Sequence, residues 1–356
     1  MPVKLITNKQ ELPTYRDTWN QLADKMKSPL LRFEWFYHAA MELHPEEEIA
    51  VAICEEDNAV IAIAPLVISR HKAVPTLEII GAKNLYEPTN WLYENADAAR
   101  QVVVKVIQLG MPVSLIRMPQ DSAVRQAFEK VPGYKGLFIY RHSTPANYFE
   151  PDLTEETDVR AELSALLSSS RRNDLKRTRK QLEKIGTVNI EVINPDTSNL
   201  DHHYQRLMKV EHASWKGKEN SSLLANKSMQ RFFQDYSRDM SAISKVRIFF
   251  LTVGEDDAAM YLTIQHASAL WILKIGHDER FHKMSPGFQM AMETIIYAAE
   301  QKLERYEFLG CEESWQSMVP IKQHQLGTYL FIPISVKGFI YFTKLVTHLI
   351  KGKMHK

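Results

Sequence analysis

The spacing of apolar and polar residues predicts a chain in which strands and helices alternate. In the first half, the β-branched runs IAVAICEE (49–56) and AVIAIAPLVISR (59–70) predict two strands joined by a tight turn. In the second half, KVRIFFLTV (245–253), AAMYLTIQHA (258–267) and ALWILKIG (269–276) are separated by short turns and predict an antiparallel meander. Segments with apolar residues at helical spacing flank these runs. The pattern therefore predicts an α/β fold with mixed, largely antiparallel sheets flanked by helices.

One segment interrupts this pattern near the middle of the chain. HSTPANYFEPDLTEE (142–156) contains two prolines and several acidic residues, which is typical of a domain boundary. We expect one domain over residues 1–150, a second over 151–335, and a basic amphipathic helix over 336–356. The halves share an order of helices, strand meander, helix and strand, which hints at duplication.

Composition narrows the class of protein. The chain has 356 residues, of which 45% are hydrophobic and 24% charged, and these are ordinary globular values. A formal net charge of +1 argues against a protein that binds nucleic acid over its whole surface. Two cysteines, Cys54 and Cys311, give no disulfide framework, and the N-terminal residues lack the apolar core of a signal peptide. We expect a cytoplasmic protein.

The segment GHDERFHKMSPGFQM (276–290) is the strongest candidate for a binding site. A basic cluster precedes Ser285-Pro286-Gly287, which reads as the start of a helix with Ser285 as its N-cap. Gly287 has no Cβ, so a ligand can approach the backbone there, and a helix N-terminus attracts anions. The alternative interpretation is a well-capped helix start without a ligand. No Walker A or Gly-x-Gly-x-x-Gly motif occurs, so the predicted anion is a pyrophosphate of another carrier, held by Ile275, Arg280, Lys283, Ser285, Pro286, Gly287 and Phe288.

The strand meander is followed by HDERFHKMSPGFQMAMETII (277–296) and YEFLG (306–310), and this order resembles the core of a GNAT-type N-acetyltransferase domain. Further motifs are SSSRRNDLKRTRKQLEKIG (168–186), EHASWKGK (211–218), the spacing of Asp278 to Ser285-Pro286-Gly287, and YEFLGCEESW (306–315). With LRFEWFYHA (31–39) and IAIAPLVIS (61–69) in the first half, they resemble more specifically the CelD-like acyltransferases of polysaccharide biosynthesis, relatives of the FemAB aminoacyl transferases. The resemblance implies two tandem GNAT-like domains. It also implies that acetyl-CoA or another acyl-CoA is the co-substrate, with its pyrophosphate on the loop before the Ser-Pro-Gly helix.

The chain departs from the family at one place. Where the family has a tyrosine–lysine pair after its FLG strand, this chain has Trp315 and Gln316, so a cationic group is missing there. The departure argues against FemAB-type aminoacyl transfer. It also leaves open a non-catalytic GNAT-like binding module.

Acyl transfer to an amine needs a base, and the candidates lie at three places. His266 lies on the meander, Asp278 beside the cofactor loop, and Glu312 or Glu313 after the next strand. Each has a structural alternative, namely an edge histidine, a loop brace and a solvated acidic turn. For the acceptor we expect contacts from Glu211, Trp215, Lys216 and Trp315, although Trp215 also fits a core position and Lys216 a helix C-terminal cation. No HExxH or Cys-x-x-Cys motif occurs, and we predict no metal.

Two basic helices complete the picture. Over residues 170–185, Arg172, Lys176, Lys180 and Lys184 share the face opposite an apolar stripe, which is either a solvated face or a landing surface for an anionic substrate. The tail KGFIYFTKLVTHLIKGKMHK (337–356) is amphipathic and suits either an anionic membrane surface or packing against the second domain.

The function expected from these observations is acyl-CoA-dependent N-acylation. The acceptor we expect is an amino sugar or an envelope or exopolysaccharide precursor, met in the cytoplasm or at the inner membrane face. Aminoacyl transfer from charged tRNA and the non-catalytic module are the alternatives, and nucleic acid is expected only under the first of them.

Overall fold

The computed structural model of the chain describes all residues except 1, 58, 72, 132, 134, 152–157, 355 and 356, and the side chains of residues 349–354. The predicted turn at residues 56–58 therefore lies partly outside the described residues. Two compact units form: Met1–Pro145 together with His324–Lys356, and Ala146–Gln323. We call them the first and the second unit.

The described residues form the predicted α/β mixture. The strands are β1 (Val3–Ile6), β2 (Glu48–Ile49), β3 (Val51–Glu56), β4 (Ala59–Ala64), β5 (Leu66–His71), β6 (Val74–Ile79), β7 (Leu92–Tyr93), β8 (Val113–Pro119), β9 (Gly136–Ser143), β10 (Ala146–Phe149), β11 (Val188–Ile193), β12 (Val246–Val253), β13 (Asp256–His266), β14 (Ala269–His277), β15 (Arg305–Leu309), β16 (Lys322–His324) and β17 (Leu326–Pro333).

Helices flank these strands. They are α1 (Arg16–Lys25), α2 (Phe33–Glu42), α3 (Ala82–Leu85), α4 (Ala96–Gln108), α5 (Ala123–Glu129), α6 (Val159–Leu166), α7 (Ser169–Glu183), α8 (Leu200–His212), α9 (Trp215–Lys218), α10 (Lys227–Ala242), α11 (Pro286–Glu300) and α12 (Val336–Met354), with 3₁₀ turns at Lys9–Tyr15, Pro29–Leu31, Glu279–Met284 and Ser314–Met318. Among the helices described, none is long and apolar enough to cross a membrane.

The first unit contains two sheets. One has the order β1-β3-β4-β7, and the other has the order β2-β5-β6-β8-β17-β9. In the second sheet β6 and β8 are parallel neighbours, whereas β17 pairs antiparallel with both β8 and β9. Every residue of β17 is buried, which marks it as a central strand of this sheet.

The second unit is built on one sheet of order β11-β12-β13-β14-β15-β10-β16. Strands β12, β13 and β14 form the antiparallel meander predicted from the sequence, so that prediction is confirmed. β14 and β15 are parallel neighbours, and α11 connects them. Met290, Ala291 and Ile295 of α11 are fully buried in the core of this unit, with Phe249 and Tyr261 of the sheet.

Two features of the predicted domain organisation are wrong. β10 lies before the predicted boundary at residue 150 but belongs to the second unit, because it pairs with β15. Residues 324–335 were assigned to the second domain but belong to the first unit, because β17 fills the gap between β8 and β9. The tail, α12, packs within the first unit, on β17 and β6.

Candidate functional site

The parallel pair β14–β15 opens into a cleft. The two strands pair only at Ala269–Trp271 of β14 with Arg305–Glu307 of β15, near the start of each strand. β14 continues for six more residues, whereas β15 ends at Leu309 and pairs with β10 on its other edge. Among the described residues, no strand pairs with this last part of β14, roughly 20 Å long, on the side of β15. This edge of β14 therefore faces the cleft.

A β-bulge lies in this open half of β14. Across the β13–β14 ladder, Leu262 is opposite Lys274 whereas Thr263 is opposite Ile272, so Leu273 is an extra residue. A bulge bends its strand and re-aims the neighbouring backbone and side chains. The bend therefore falls at the point where β14 leaves β15.

A cavity of about 290 Å³ occupies the cleft in the second unit. Six of the residues predicted from the sequence line it: Trp215, Lys216, Ile275, Gly287, Phe288 and Trp315. Glu313, the alternative to Glu312 as a candidate base, also lines it, and four further lining residues were missed: Ser214, Tyr261, Gly276 and His277. His277 could have been found, because it lies two residues after Ile275 and so shares a face of the strand. Tyr261 could not, because only the register of β13 places it opposite Ile275.

A buried ion pair braces the cavity wall. The Lys216 ammonium contacts Glu211 Oε1 at 3.2 Å and donates to the Ile275 carbonyl at 2.8 Å. Glu211 is 1% exposed, and its other oxygen accepts from the Leu223 amide at 2.8 Å. Burial of the carboxylate is therefore matched by a charge and a hydrogen bond. Glu211, predicted to contact the substrate, instead positions Lys216, and Lys216 brings a positive charge to the cavity.

His277 is the titratable group best placed for proton transfer. Its Nε2 lies 3.2 Å from His282 Nδ1, and its ring faces Gly287, where an added Cβ would lie 3.5 Å from His277 Nδ1. Burial, reinforced by the neighbouring His282, lowers the pKa of His277 below its ordinary value of 6.5. The imidazole is thus neutral near pH 7 and able to accept a proton.

Tyr261 and Glu313 supply the other polar groups of the cavity. Burial raises the pKa of Tyr261 well above its ordinary value, so its phenol stays protonated, and the hydroxyl lies 3.4 Å from the Gly287 carbonyl. Glu313 is exposed and accepts from Trp315 Nε1 at 2.7 Å, which fixes the indole at the rim. The cavity therefore combines a neutral base, a protonated phenol, a carboxylate, a cation and aromatic walls.

The start of α11 has the predicted proline and the predicted N-cap residue, Ser285, but the Ser285 side chain does not form the capping hydrogen bond. Ser285 is at the N-cap position with left-handed backbone (φ 49°, ψ 50°) and makes no side-chain cap hydrogen bond. Its carbonyl accepts from the Gln289 amide at 3.2 Å, and Pro286 has no N–H. Gly287 and Phe288 carry the first-turn amides, which have no partner inside the helix. Both residues border the cavity.

Other predicted site residues lie elsewhere. Asp278 caps the 3₁₀ turn through the Arg280 amide at 2.8 Å and binds the Arg280 guanidinium, which also contacts Asp256 at 3.0 Å. These carboxylates raise the pKa of Arg280 and neutralise its charge, so Asp278 braces the loop. Lys283 is exposed, and no ion pair joins it to another described residue.

Two predicted bases are wrong as cavity residues. His266 ends β13, five residues beyond Tyr261, which is roughly 16 Å along a strand. Glu312 is exposed and does not line the cavity, whereas the next residue, Glu313, does. The backbone conformation after β15 decides which of these two adjacent carboxylates lines the cavity, and local sequence patterns do not predict that conformation.

A set of metal-binding side chains lies at the cavity edge. Ligand atoms of His277, Glu279 and His282 lie within 4.8 Å of one another. His277 already hydrogen-bonds His282, and Glu279 pairs with Lys218 at 2.8 Å, which lowers the Glu279 pKa. That the reaction uses no metal stays a prediction.

Comparison with known proteins supports the fold. Residues 169–317 match a family model described as acetyltransferase (GNAT) domain. No curated protein matches the chain. The whole chain is similar in fold to FemX, with 12% identity, a TM-score of 0.58, and coverage of 96% of this chain and 99% of that one.

Two further solved structures have comparable folds. A conserved protein of unknown function from Bacteroides thetaiotaomicron VPI-5482 is 11% identical, with a TM-score of 0.55 and coverage of 93% of this chain and 99% of that one. The C-terminal domain of a putative lysylphosphatidylglycerol synthetase from Agrobacterium fabrum is 10% identical, with a TM-score of 0.53 and coverage of 94% and 96%. The expected α/β fold is therefore confirmed: residues 169–317 of the second unit match the GNAT domain model around the splayed β14–β15 pair, and the fold of the chain is similar to that of FemX.

Proposed function

We propose that this chain transfers an acyl group from an acyl-CoA to an amine in the cavity of the second unit. The observation that carries the proposal is the cleft where β14 leaves β15, because it exposes strand backbone beside a helix N-terminus. A thioester needs both features, the first for its carbonyl oxygen and the second for the phosphates of its carrier. Whether the donor is acetyl-CoA or a longer acyl-CoA is part of the test.

The start of α11 fits the donor pyrophosphate. At Gly287 an added Cβ would meet only the His277 ring, at 3.5 Å, so the backbone there is open to a ligand. The Gly287 and Phe288 amides and the helix dipole favour an anion, and the exposed Lys283 adds a charge. A cavity of about 290 Å³ is at the small end for ligand sites, so it suits the thioester end and a small acceptor rather than a whole CoA.

The cavity residues can carry out the transfer. His277 takes a proton from the acceptor ammonium, and the neutral amine attacks the thioester carbonyl. A backbone N–H within Leu273–Gly276 holds the oxyanion, with the Lys216 cation nearby. The carbon–sulfur bond then breaks, the new amide forms as its nitrogen loses a second proton, and the thiolate takes up one proton, so that the net proton released leaves through His277. The products are the N-acylated acceptor and free CoA.

An amino sugar is the acceptor class we would test first. Trp215 and Trp315 offer aromatic faces at the rim, and Glu313 can accept hydrogen bonds from hydroxyl or ammonium groups. An envelope or exopolysaccharide precursor would present both groups. A sugar hydroxyl is the second choice of nucleophile.

Thermal unfolding with and without ligands tests the donor. A ligand at about 100 times its Kd stabilises a protein by roughly 2.7 kcal/mol, which shifts the Tm by several degrees. We expect a shift with one or more acyl-CoAs, a loss of that shift in Gly287→Trp, and its retention in the matched variant Gly287→Ala, whose Cβ has room. Equal shifts in wild type and Gly287→Trp would place the donor elsewhere. Release of free thiol with amino-sugar acceptors then measures turnover.

Aminoacyl transfer is the second candidate, because α7 presents a basic face. Lys176, Lys180 and Lys184 are exposed on it, whereas Arg172 is turned to the Leu167 carbonyl at the end of α6. An anionic donor such as tRNA would meet those lysines, and FemX has a similar fold. A thermal shift with tRNA and none with any acyl-CoA would select this function. No shift with either, and partner binding without turnover, would select the non-catalytic module.

A further inference from the structure

Helix α12 of the first unit carries apolar side chains on two opposite faces. Tyr341 is 2% exposed and packs with Leu345 on Leu330 and Ile332 of β17, and its hydroxyl bonds His71 Nδ1 at 2.8 Å. On a helical wheel, Val336, Phe339 and Val346 point away from that packed face. The apolar residues that the sequence predicts on one face of α12 therefore lie on two sides of the helix, one packed on the sheet and one exposed.

The exposed side forms a continuous apolar surface. Ile334, Val336 and Phe339 are 77%, 78% and 69% exposed, and Leu137 on the neighbouring edge strand β9 is 45% exposed. A groove of about 370 Å³ is lined by Leu137, Ile334, Phe339 and Phe342. Single exposed apolar residues are common, but a cluster of this size marks an interaction site. The docking surface comprises Leu137, Ile334, Val336, Phe339, Phe342 and Val346.

The backbone under the docking surface is fixed. Ser335 Oγ caps the helix by accepting from the Gly338 amide at 2.9 Å, and it donates to the Gly110 carbonyl at 2.7 Å. Gly338 packs so closely on the Pro333 carbonyl that a Cβ would overlap it. The apolar side chains are therefore presented by a capped helix start tied to the sheet, so binding need not order them first.

The charge around the docking surface identifies its occupant. Residues 334–356 contain five lysines and no aspartate or glutamate. Lys337 is exposed beside Val336, and Lys135 and Arg141 are exposed on and next to β9. On a helical wheel Lys337 points about 160° away from Phe339, so Lys135 and Arg141 are the cations nearer the apolar face. An exposed apolar face with cations at its edge is complementary to anionic lipid, because the cations meet headgroups while the apolar residues enter the acyl boundary.

We propose that the first unit docks on an anionic membrane surface through this docking surface, with α12 lying in the membrane plane. The proposal concerns the first unit alone and does not depend on the chemistry of the second.

Vesicle flotation with the purified full chain tests the proposal. The vesicles are phosphatidylcholine alone and phosphatidylcholine mixed with phosphatidylglycerol, each at low and high salt. We expect binding to the mixed vesicles that weakens with salt, and weak binding to phosphatidylcholine alone. Phe339→Ser with Phe342→Ser should weaken binding by at least about tenfold, because two large apolar side chains leave the bilayer.

Matched variants separate docking from unfolding. Ile185→Ser with Leu224→Ser removes two exposed apolar residues of the second unit (57% and 42% exposed) and should bind as wild type does. Lys135→Glu with Lys337→Glu should weaken binding to mixed vesicles by at least about tenfold and remove its salt dependence. Unchanged Tm values confirm folding in all three.

Three results would overturn the proposal. One is wild-type protein that stays with neither kind of vesicle. Another is equal binding by wild type and the Phe339/Phe342 variant. The third is a concentration-dependent dimer that the same variant converts to monomer, without vesicle binding, which would assign the surface to a second copy of the chain.

Discussion

Each unit contains a parallel strand pair among its described residues, and the pairs differ in what lies beyond the paired residues. In the first unit, β6 pairs with β8 at Leu77 and Glu78, and β8 continues for five more residues, where Thr89 donates to the carbonyls of Ile116 and Arg117. In the second unit, β14 pairs with β15 only at its first three residues and then continues along the cavity. Both pairings stop early, so a shared strand arrangement gives a binding cleft only where no other segment of the chain bonds to the strand that continues.

A glycine that follows the first strand of each pair shows the same difference in how much space surrounds it. Gly81 follows β6 with φ +75°, and a Cβ there would lie 3.0 Å from Ala39 Cβ and 3.1 Å from Leu85 Cδ1. Its amide donates to His44 Nε2 at 3.0 Å. Gly287 has only the His277 ring near it. In the first unit, side chains therefore occupy the space beside the glycine, whereas in the second unit that space is open. The GNAT match likewise covers only residues 169–317, which lie in the second unit.

The largest expected effect is on kcat/KM, and it distinguishes His277, beside Gly287, from His44, beside Gly81. Under the proposed function, His277→Ala should lower kcat/KM by about 10²–10⁴-fold, because it removes the general base. Added imidazole should restore part of the rate, and the wild-type rate should fall on the acid side, below about pH 6.5, as His277 is protonated.

His44→Ala is the matched control in the first unit. It removes the acceptor of the Gly81 amide and should cost about 1–3 kcal/mol of unfolding free energy with kcat/KM unchanged. Steady-state kinetics and urea unfolding measure the two quantities. A His277→Ala enzyme with wild-type kcat/KM would remove His277 from the mechanism.

The next effect concerns two lysines of the second unit that lie two residues apart. Lys216→Met leaves the buried Glu211 without its cation, and we expect a loss of about 3–5 kcal/mol in unfolding free energy. Lys218 is 72% exposed and pairs with Glu279, so Lys218→Met should cost less than about 1 kcal/mol.

The double variant Lys216→Met with Glu211→Gln should recover part of the loss, because no charge is then left buried. Urea unfolding of the four proteins gives the comparison. If Lys216→Met and Lys218→Met cost the same, water reaches Glu211 and the pair does not brace the cavity wall.

A smaller effect distinguishes the glycines themselves. Gly81→Ala forces a Cβ into a left-handed position against Ala39 and should destabilise the fold by about 1–3 kcal/mol. Gly287→Ala meets an ordinary contact at 3.5 Å and should change stability by less than about 1 kcal/mol. Thermal unfolding of both variants checks this. A larger loss in Gly287→Ala would mean that the cavity is closed at that point in solution.

The sequence predicted those parts of the site that depend on neighbours in the chain. The meander, the proline at the start of α11 and the cavity positions of Trp215, Lys216 and Trp315 followed from local patterns and from the resemblance. Long-range pairing decided the rest. β17 belongs to the first unit because it pairs with β8, which is distant in sequence. Tyr261 lines the cavity because its strand register places it opposite Ile275. Asp278 and Arg280 were lost to the site because they bind each other.

The smallest expected effect is the pH dependence of stability, which again involves one histidine in each unit. Burial lowers the pKa of His44, and burial with the neighbouring His282 lowers that of His277, both below the ordinary value of 6.5. The unfolded chain therefore binds more protons below that pH than the folded protein does. The stability contributed by each neutral imidazole is complete above about pH 6.5 and is lost as the pH falls toward the folded pKa.

Replacing each histidine separately tests this dependence. We expect His44→Gln to flatten the acid-side fall in stability of the first unit and His277→Gln that of the second, because glutamine takes up no proton. Urea unfolding between about pH 7 and about pH 5, with amide hydrogen exchange to assign the change to a unit, measures both slopes. A His277→Gln variant that keeps the wild-type slope would mean that the pKa of His277 is the same in the folded and the unfolded chain. The buried environment that keeps His277 neutral below pH 6.5 would then be absent, while the expectation for His44 in the first unit would be unaffected.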